Sequence, residues 1–412
     1  MSTPKPTQQQ AVGQNAGATT SPEDLMARLI EFGPQVSPVL SLYLDGRADE
    51  HGRQNFATFV RKRLTERART YAAHTAERES FDLDFVRIVG YLEDVKPSAQ
   101  GIALFACSGA NDFFEVGQFS APFQHHRLFV SDRPHLYPLA RLIDQYRRYA
   151  AVLADTNSAH IFVFASGGTV ERKELHNVKT VGDMTQSKYQ RHLENYHLHH
   201  AKEVIETLER TVRDEAIDQV ILAGDEETVI PLLREQMPKE LSEKVIDVLS
   251  LGIDTPEHEL LQASLAAYRR YDSLNDMQKV ERLIDEYQAN GLAVTGVVDT
   301  LAAVSNGQVE ELLIAATANG LQYDEAEARK VLTAYSSLGE PPATLDQRTI
   351  ADELVRRAIQ LSSARISFIE DASGLEKVGG VGALLRYRVS PEHAAPYEEA
   401  GTASKSEALI ET

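Results

Sequence analysis

The chain has 412 residues, 42% of them apolar, and a formal net charge of −19, a length that calls for roughly two to four domains with ordinary buried cores. Such acidity excludes a general nucleic-acid coat, because nonspecific affinity for phosphates comes from Lys and Arg; any RNA contact must be a local basic surface. A single cysteine, Cys107, excludes a disulfide framework and a cysteine-rich zinc site.

Residues 1–20 carry no periodic apolar pattern and are expected to be a disordered leader. The N-terminus lacks the charged-then-apolar pattern of a secretory signal, and no apolar run reaches the ~20 residues of a membrane span, so a cytoplasmic protein without membrane contact is expected. Ser21-Pro22-Glu23-Asp24 has the make-up of a helix start. A first α/β domain is expected over 21–145. Its strands are Val39–Leu44 and Gly101–Ala106, and a helix lies between them with Arg61, Lys62, Arg63, Arg67 and Arg69 around an apolar side. That helix is either a phosphate-contacting surface or only a solvated face.

A second domain is expected over 146–285. Tyr149–Asp155, His160–Phe164 and Val170–Leu175 read as an antiparallel meander with turns at Thr156-Asn157-Ser158 and Gly167-Gly168. A polar loop, 176–187, then runs into a long helix. On that helix Tyr189, Leu193, Tyr196, His200, Val204, Leu208 and Val212 recur at three- and four-residue steps. Val220–Gly224 and Val245–Leu249 are further strands, with a helix from Val229 to Leu233 between them, giving a mixed sheet with helices on it. A third domain, 286–390, is expected to open with a helix. It continues through Gly291–Gly296, a helix 297–304, a strand Val309–Ala315, an amphipathic helix Asp352–Leu361, a strand Arg365–Ile369 and a glycine-rich turn into a last strand. That alternation makes a small α-β-α sandwich. From Pro391 on, five Glu against one Lys suggest a solvated acidic tail, 391–412.

Three ordered segments carry a family resemblance: the loop and helix at 182–213, Gly291–Gly296 with Asn306-Gly307-Gln308-Val309 and Leu312-Leu313-Ile314, and Gly379–Tyr387. Together they resemble the bacterial branch of the archaeal/eukaryotic class-1 peptide chain release factor and Pelota superfamily, which also includes a peptidyl-tRNA hydrolase of ribosome quality control and a bacterial hibernation factor. The resemblance implies an α/β fold of three domains. The middle one would be ribonuclease-H-like, and the C-terminal one would be related to the kink-turn-binding ribosomal proteins.

The departures are informative. Codon-reading members carry Asn-Ile-Lys-Ser in the first domain; this chain has no such motif, and stop-codon decoding is not expected. In the family a Gly-Gly-Gln loop reaches the peptidyl-tRNA ester. Aligned on Tyr189 and Arg191, that motif falls on Gly182-Asp183-Met184, and the Met184 thioether has no donor with which to orient a water. Gln186, two residues on, has the required amide. By the resemblance, Gln186 and Gly182 are the candidate catalytic residues. Ester hydrolysis there would need only a positioned water and an oxyanion donor, with ribosomal RNA completing the site. The open alternative is that Gln186 only flanks the helix. Lys179, Lys188 and Arg191, with Lys173, are candidates for contact with the acceptor stem or ribosomal RNA.

Other groupings carry less. His197 and His200 share a helix face, but His200 belongs to the apolar stripe and no metal site is expected. Asp155 is expected to form a turn. Gly379-Gly380-Val381-Gly382 leads into a strand and lacks the strand–loop–helix context of a phosphate cradle, so no cofactor is expected. Cys107 should be a buried thiol. The expected role is a ribosome-associated factor of the rescue, quality-control or hibernation type that enters the A site as a tRNA mimic. Its partners would be the 70S ribosome, ribosomal RNA and peptidyl-tRNA, with a delivering translational GTPase, and it would act as a monomer. The alternative is a non-catalytic, stress-linked RNA- or protein-binding module that never enters the A site.

Overall fold

A computed structural model describes residues 21–48, 56–94, 99–165, 168–176, 186–335, 341–342 and 344–388. The first stretch begins with α1 (Pro22–Glu31), where Ser21 caps the start by accepting from the Asp24 N–H at 3.1 Å. It continues with β1 (Val39–Asp45), α2 (Phe56–Ala68), α3 (Ala76–Glu93), β2 (Gly101–Cys107), β3 (Phe113–Phe119), β4 (Arg127–Ser131) and α4 (Tyr137–Gln145). The four strands form an antiparallel sheet in the order β3-β2-β1-β4. β1 and β2 are buried on both faces. Alternate residues Leu40, Leu42, Leu44, Ile102 and Leu104 pack on α2 and α3, and Tyr43, Ala103 and Phe105 turn to the other side.

The second stretch contains β5 (Tyr149–Ala154), β6 (Ser158–Ala165), β7 (Gly168–His176), α5 (Gln186–Asp214), β8 (Val220–Gly224), α6 (Val229–Gln236), α7 (Lys239–Glu243), β9 (Val245–Leu249) and α8 (Glu257–Gln288). Its sheet runs β7-β6-β5-β8-β9. β5, β6 and β7 pair antiparallel, and β8 joins β5 and β9 in parallel, the mixed sheet that the alternation predicts. α5 and α6 cover one face and the first half of α8 covers the other.

The last stretch adds β10 (Ala293–Thr295), α9 (Val297–Ser305), β11 (Val309–Ala315), α10 (Glu325–Ala334), α11 (Gln347–Gln360), β12 (Arg365–Ile369), α12 (Ser373–Glu376) and β13 (Val381–Leu385). The sheet order is β10-β13-β11-β12. α9, α10 and α11 pack on one face, while α12 and the second half of α8 pack on the other, giving three layers. Gly379 and Gly380 both have positive φ, and a Cβ on Gly380 would lie 2.5 Å from the Gly320 carbonyl oxygen. These glycines therefore serve close backbone approach rather than phosphate binding.

Two expectations need correction. The helix expected to open at 286 is the end of α8, a 32-residue helix whose first half belongs to the second sheet. The helix expected as amphipathic from Asp352 begins at Gln347, and its charged residues Asp352, Glu353, Arg356 and Arg357 are buried. They are covered because the segment before α4 lies against them. Asp352 accepts from the Tyr137 N–H at 2.9 Å and from that of Leu136, Glu353 pairs with Arg133 at 3.3 Å, and Arg356 donates to the Pro134 carbonyl. One apolar cluster accordingly runs from Leu25, Phe105 and Leu136 to Leu312, Leu354 and Leu385.

Candidate functional site

β5 and β6 turn at Asp155, whose carboxylate accepts from the Asn157 and Ser158 N–H groups at 2.7 and 2.6 Å, the side-chain-closed turn expected of it. β6 returns along β7, which ends at His176. Lys179 and Gly182 fall outside the described residues. Gln186 is the first residue of α5, and Lys188 and Arg191 lie within its first two turns; only their backbone is described.

The rest of α5 explains how this helix head is held. His200, Val204, Leu208 and Val212 are buried, together with Ala201 and Ile205, against Val152, Ile161 and Leu222 of the sheet and Leu233 of α6. The stripe read from spacing is thus the packed face of the helix over these residues. The two histidines serve structure. The His197 Nδ1 stands 2.9 Å from the Thr156 carbonyl oxygen, which ties α5 to the β5–β6 turn. His200 is buried, and burial pushes its pKa below the usual histidine value. Among the described residues no group of three His, Cys, Asp or Glu is placed to hold a metal ion. Cys107 is buried and unpaired, with its pKa pushed up to about 11 by burial and then by the Asp84 charge, so it is not a reactive thiolate.

The cations of β7 are already engaged. Lys173 lies 3.2 Å from Glu171 and donates to the Thr211 hydroxyl at 3.0 Å. Arg172 meets Glu174 at 2.6 Å and Glu257 at 3.5 Å, over the Phe162 ring. On α2, Arg61 pairs with Glu93 at 3.1 Å and Arg63 with Glu66 at 3.2 Å; Lys62 is exposed. Exposed pairs of this kind contribute about 0–1 kcal/mol, so a phosphate can take their place at small cost. Arg63 and Arg67 also line a groove of about 1370 Å³ between α2, β4 and the start of α11. Arg127 of β4 and Arg348 of α11 face the same groove, 221 positions apart in the chain, and neither was singled out by sequence reasoning. The run His125-His126-Arg127 was the one local signal available.

Residues 134–269, which include the loop and α5, match the model of the bacterial archaeo-eukaryotic release factor family 10. A Pelota homolog of Pyrococcus furiosus is 26% identical over 193 residues, covering 45% of this chain and 48% of its own; the chain therefore spans about half the length of that curated relative. Among solved structures, an archaeal translation termination factor, aRF1, aligns over 89% of this chain and 99% of its own at 17% identity, with a TM-score of 0.25. Archaeal Pelota from a ribosome-bound model with ABCE1 aligns over 90% and 95% at 15% identity, with a TM-score of 0.40. The Dom34 protein of S. cerevisiae aligns over 70% and 79% at 11% identity, with a TM-score of 0.39. The family match over residues 134–269 and the Pelota relative support assignment of the chain to the superfamily of bacterial archaeo-eukaryotic release factors and Pelota.

Proposed function

We propose that this protein is a release-factor-like translation factor that binds the ribosome with the head of α5 directed at the peptidyl-transferase centre. The observation that carries the proposal is the position of Gln186. It begins a 29-residue helix whose later turns are anchored in a core, and it follows the segment that by resemblance corresponds to the family's ester-reaching loop. A rigid helix is a suitable handle for a loop that must reach a reactive ester, because positioning is most of what a factor contributes when RNA supplies the remaining groups. In this reading Gly182 allows close backbone approach. Gln186 orients the attacking water, and Lys179, Lys188 and Arg191 meet RNA phosphates near the ester. Arg61, Lys62 and Arg63 on α2 form a second RNA contact, for which Arg61 and Arg63 exchange their exposed ion pairs for phosphates. The three units are taken as 21–145, 146–285 and 286–390. The factor occupies the A site as a monomeric tRNA mimic in rescue, quality control or hibernation.

The test is peptide release from 70S ribosomes with a labelled peptidyl-tRNA in the P site, comparing the chain with its Gln186→Ala variant. Release that falls by about a hundredfold in the variant supports hydrolysis, the size expected for losing one positioning or oxyanion group. Co-sedimentation without release, equal for both proteins, makes the factor a non-hydrolytic ligand of the ribosome. Absence of both overturns the ribosomal reading.

A further inference from the structure

A second cavity, of about 150 Å³, opens from the groove between β4, α4 and the turn that follows β11. Its walls include the rings of Phe123, Phe129 and Tyr137, and its lining also includes Arg127, Arg141 and Arg348. A cavity of roughly that volume holds a single six-membered aromatic ring. Arg127, Phe129 and Arg348 line both the cavity and the 1370 Å³ groove. A ring held inside would therefore have its substituents at the mouth, among guanidinium groups.

Those guanidinium groups are short of acceptors. Arg127 and Arg348 form no ion pair with any carboxylate among the described residues, and both are exposed. Arg141 directs its Nη atoms to Gln124 at 3.2 Å and Glu370 at 2.8 Å, but its Nε is buried with no hydrogen-bond partner. A buried donor left without an acceptor forfeits its hydration and gains nothing in exchange. The pKa of Arg127 lies below the ordinary arginine value, first through partial burial and then through the charges of Arg348 and Arg141. Of the acids nearby, Asp346 feels the Arg348 charge without forming an ion pair with it. The Asp346 carboxylate caps α11 by accepting from the Thr349 N–H and hydroxyl at 2.8 and 2.7 Å, and Glu370 is taken by Arg141 and Gln145. His125 lines the same rim.

An aromatic-walled slot with unpaired guanidinium forks at its mouth matches one ligand chemistry. Rings stack on a flat π-system, and guanidinium forks donate to the paired oxygens of a phosphate. We propose that this cavity is a nucleotide site, with the base against Phe123, Phe129 and Tyr137 and the phosphate on Arg127 and Arg348. The ligand is either a free mononucleotide or one nucleotide of a single RNA strand laid along the groove. The site is independent of the α5 head, and its test needs no ribosome.

The experiment is calorimetric titration of the full chain at low ionic strength with CMP, UMP, AMP and GMP, the matching nucleosides, inorganic phosphate and a six-nucleotide single-stranded RNA. The same titrations are run on an Arg127→Gln/Arg348→Gln double variant. Both side chains are exposed, and unchanged thermal unfolding of the variant checks that it folds. The expected result is one-to-one binding of at least one mononucleotide, tighter than phosphate or nucleoside alone and weakened tenfold or more in the double variant. Equal or tighter binding of the oligomer, with the same loss in the variant, identifies an RNA nucleotide as the ligand. Binding of the mononucleotide alone identifies a free metabolite. The proposal is overturned if neither the mononucleotides nor the oligomer bind up to about 1 mM. Full affinity in the double variant, or phosphate binding as tightly as the nucleotides, overturns it as well.

Discussion

The junction between the first sheet and the last is built with charges inside an apolar cluster, whereas the middle sheet has an apolar interior. At the junction Arg133, His135, Asp352, Glu353, Arg356 and Arg357 are all buried and linked across the chain. In the middle unit, the buried polar residues of the described chain between β5 and the first half of α8 are His200, Thr211 and Ser264, none of them an acid, lysine or arginine. Two kinds of specificity follow. Desolvated ion pairs tolerate one geometry, because each charge left without its partner costs several kcal/mol, so the junction fixes how the two sheets meet. An apolar interior is held by area and shape and can adjust. Helix α8 joins the two regimes, with Leu260, Ala267 and Tyr268 in the middle interior and Val280 and Leu283 under the last sheet.

The largest expected effect comes from breaking the charged side of that comparison. Asp352→Ala leaves the Leu136 and Tyr137 N–H groups and the Arg356 guanidinium without their shared acceptor, and should cost about 3–5 kcal/mol. Leu208→Ala breaks the apolar side. It opens a cavity beneath α5 and should cost about 3 kcal/mol. Scanning calorimetry separates the two. The first variant should lower a transition that the second leaves in place, and the reverse; one common transition lowered by both would show that the two regions unfold as a single unit and dissolve the contrast.

A smaller effect sharpens the role of α8. Burial raises the pKa of Asp276 to about 7, with the Asp272 and Asp144 charges adding to it and Lys279 and Arg147 opposing; Asp272 itself is raised to about 6, by burial first. For an acid with a raised pKa the folded state holds its proton more tightly than the unfolded chain. The contribution is therefore fully present below about pH 4 and is lost as pH rises through 7. Stability of the native chain should fall between pH 5 and pH 8 on this account. Asp276→Asn should remove most of that slope and stabilise the protein at pH 8 by of the order of 2 kcal/mol. Denaturant midpoints across that range check it, and a parallel slope in the variant would remove Asp276 from the explanation.

What the sequence disclosed follows the same division. The apolar runs of β1, β2, β5 and β8 were legible because a strand buried on both faces is continuous in the chain. β3 and β4 were not, because Phe113–Phe119 and Arg127–Ser131 lie at the edges of their sheet and are mostly half-buried, without clean alternation. The stripe on α5 was legible because it packs against one core. α8 was not, since its buried residues change partner at mid-helix and leave Leu274 and Met277 exposed. The charged face of α11 resembled a solvated one because its partners, Arg133 and the Leu136 and Tyr137 N–H groups, lie more than 200 positions away. The nucleotide pocket failed to register for the same reason. Gln186, read from the sequence as part of the loop 176–187 before the helix, is in the structure already the first residue of α5.

The smallest expected effect on stability belongs to the residue with the largest expected effect on function. Gln186 is the first residue of α5, upstream of the turns that enter the core at His200, Val204 and Leu208. Exchanging it for alanine should change unfolding free energy by less than about 0.5 kcal/mol, as for substitutions remote from a core or buried network. If Gln186 positions the water in peptidyl-tRNA hydrolysis, the same substitution should lower release by about a hundredfold while leaving both calorimetric transitions in place. A variant that lost release together with the transition sensitive to Leu208→Ala would instead be losing the helix. In that case the glutamine would be a structural element of the middle unit, and the contrast between an adaptable interior and a functional tip would fail.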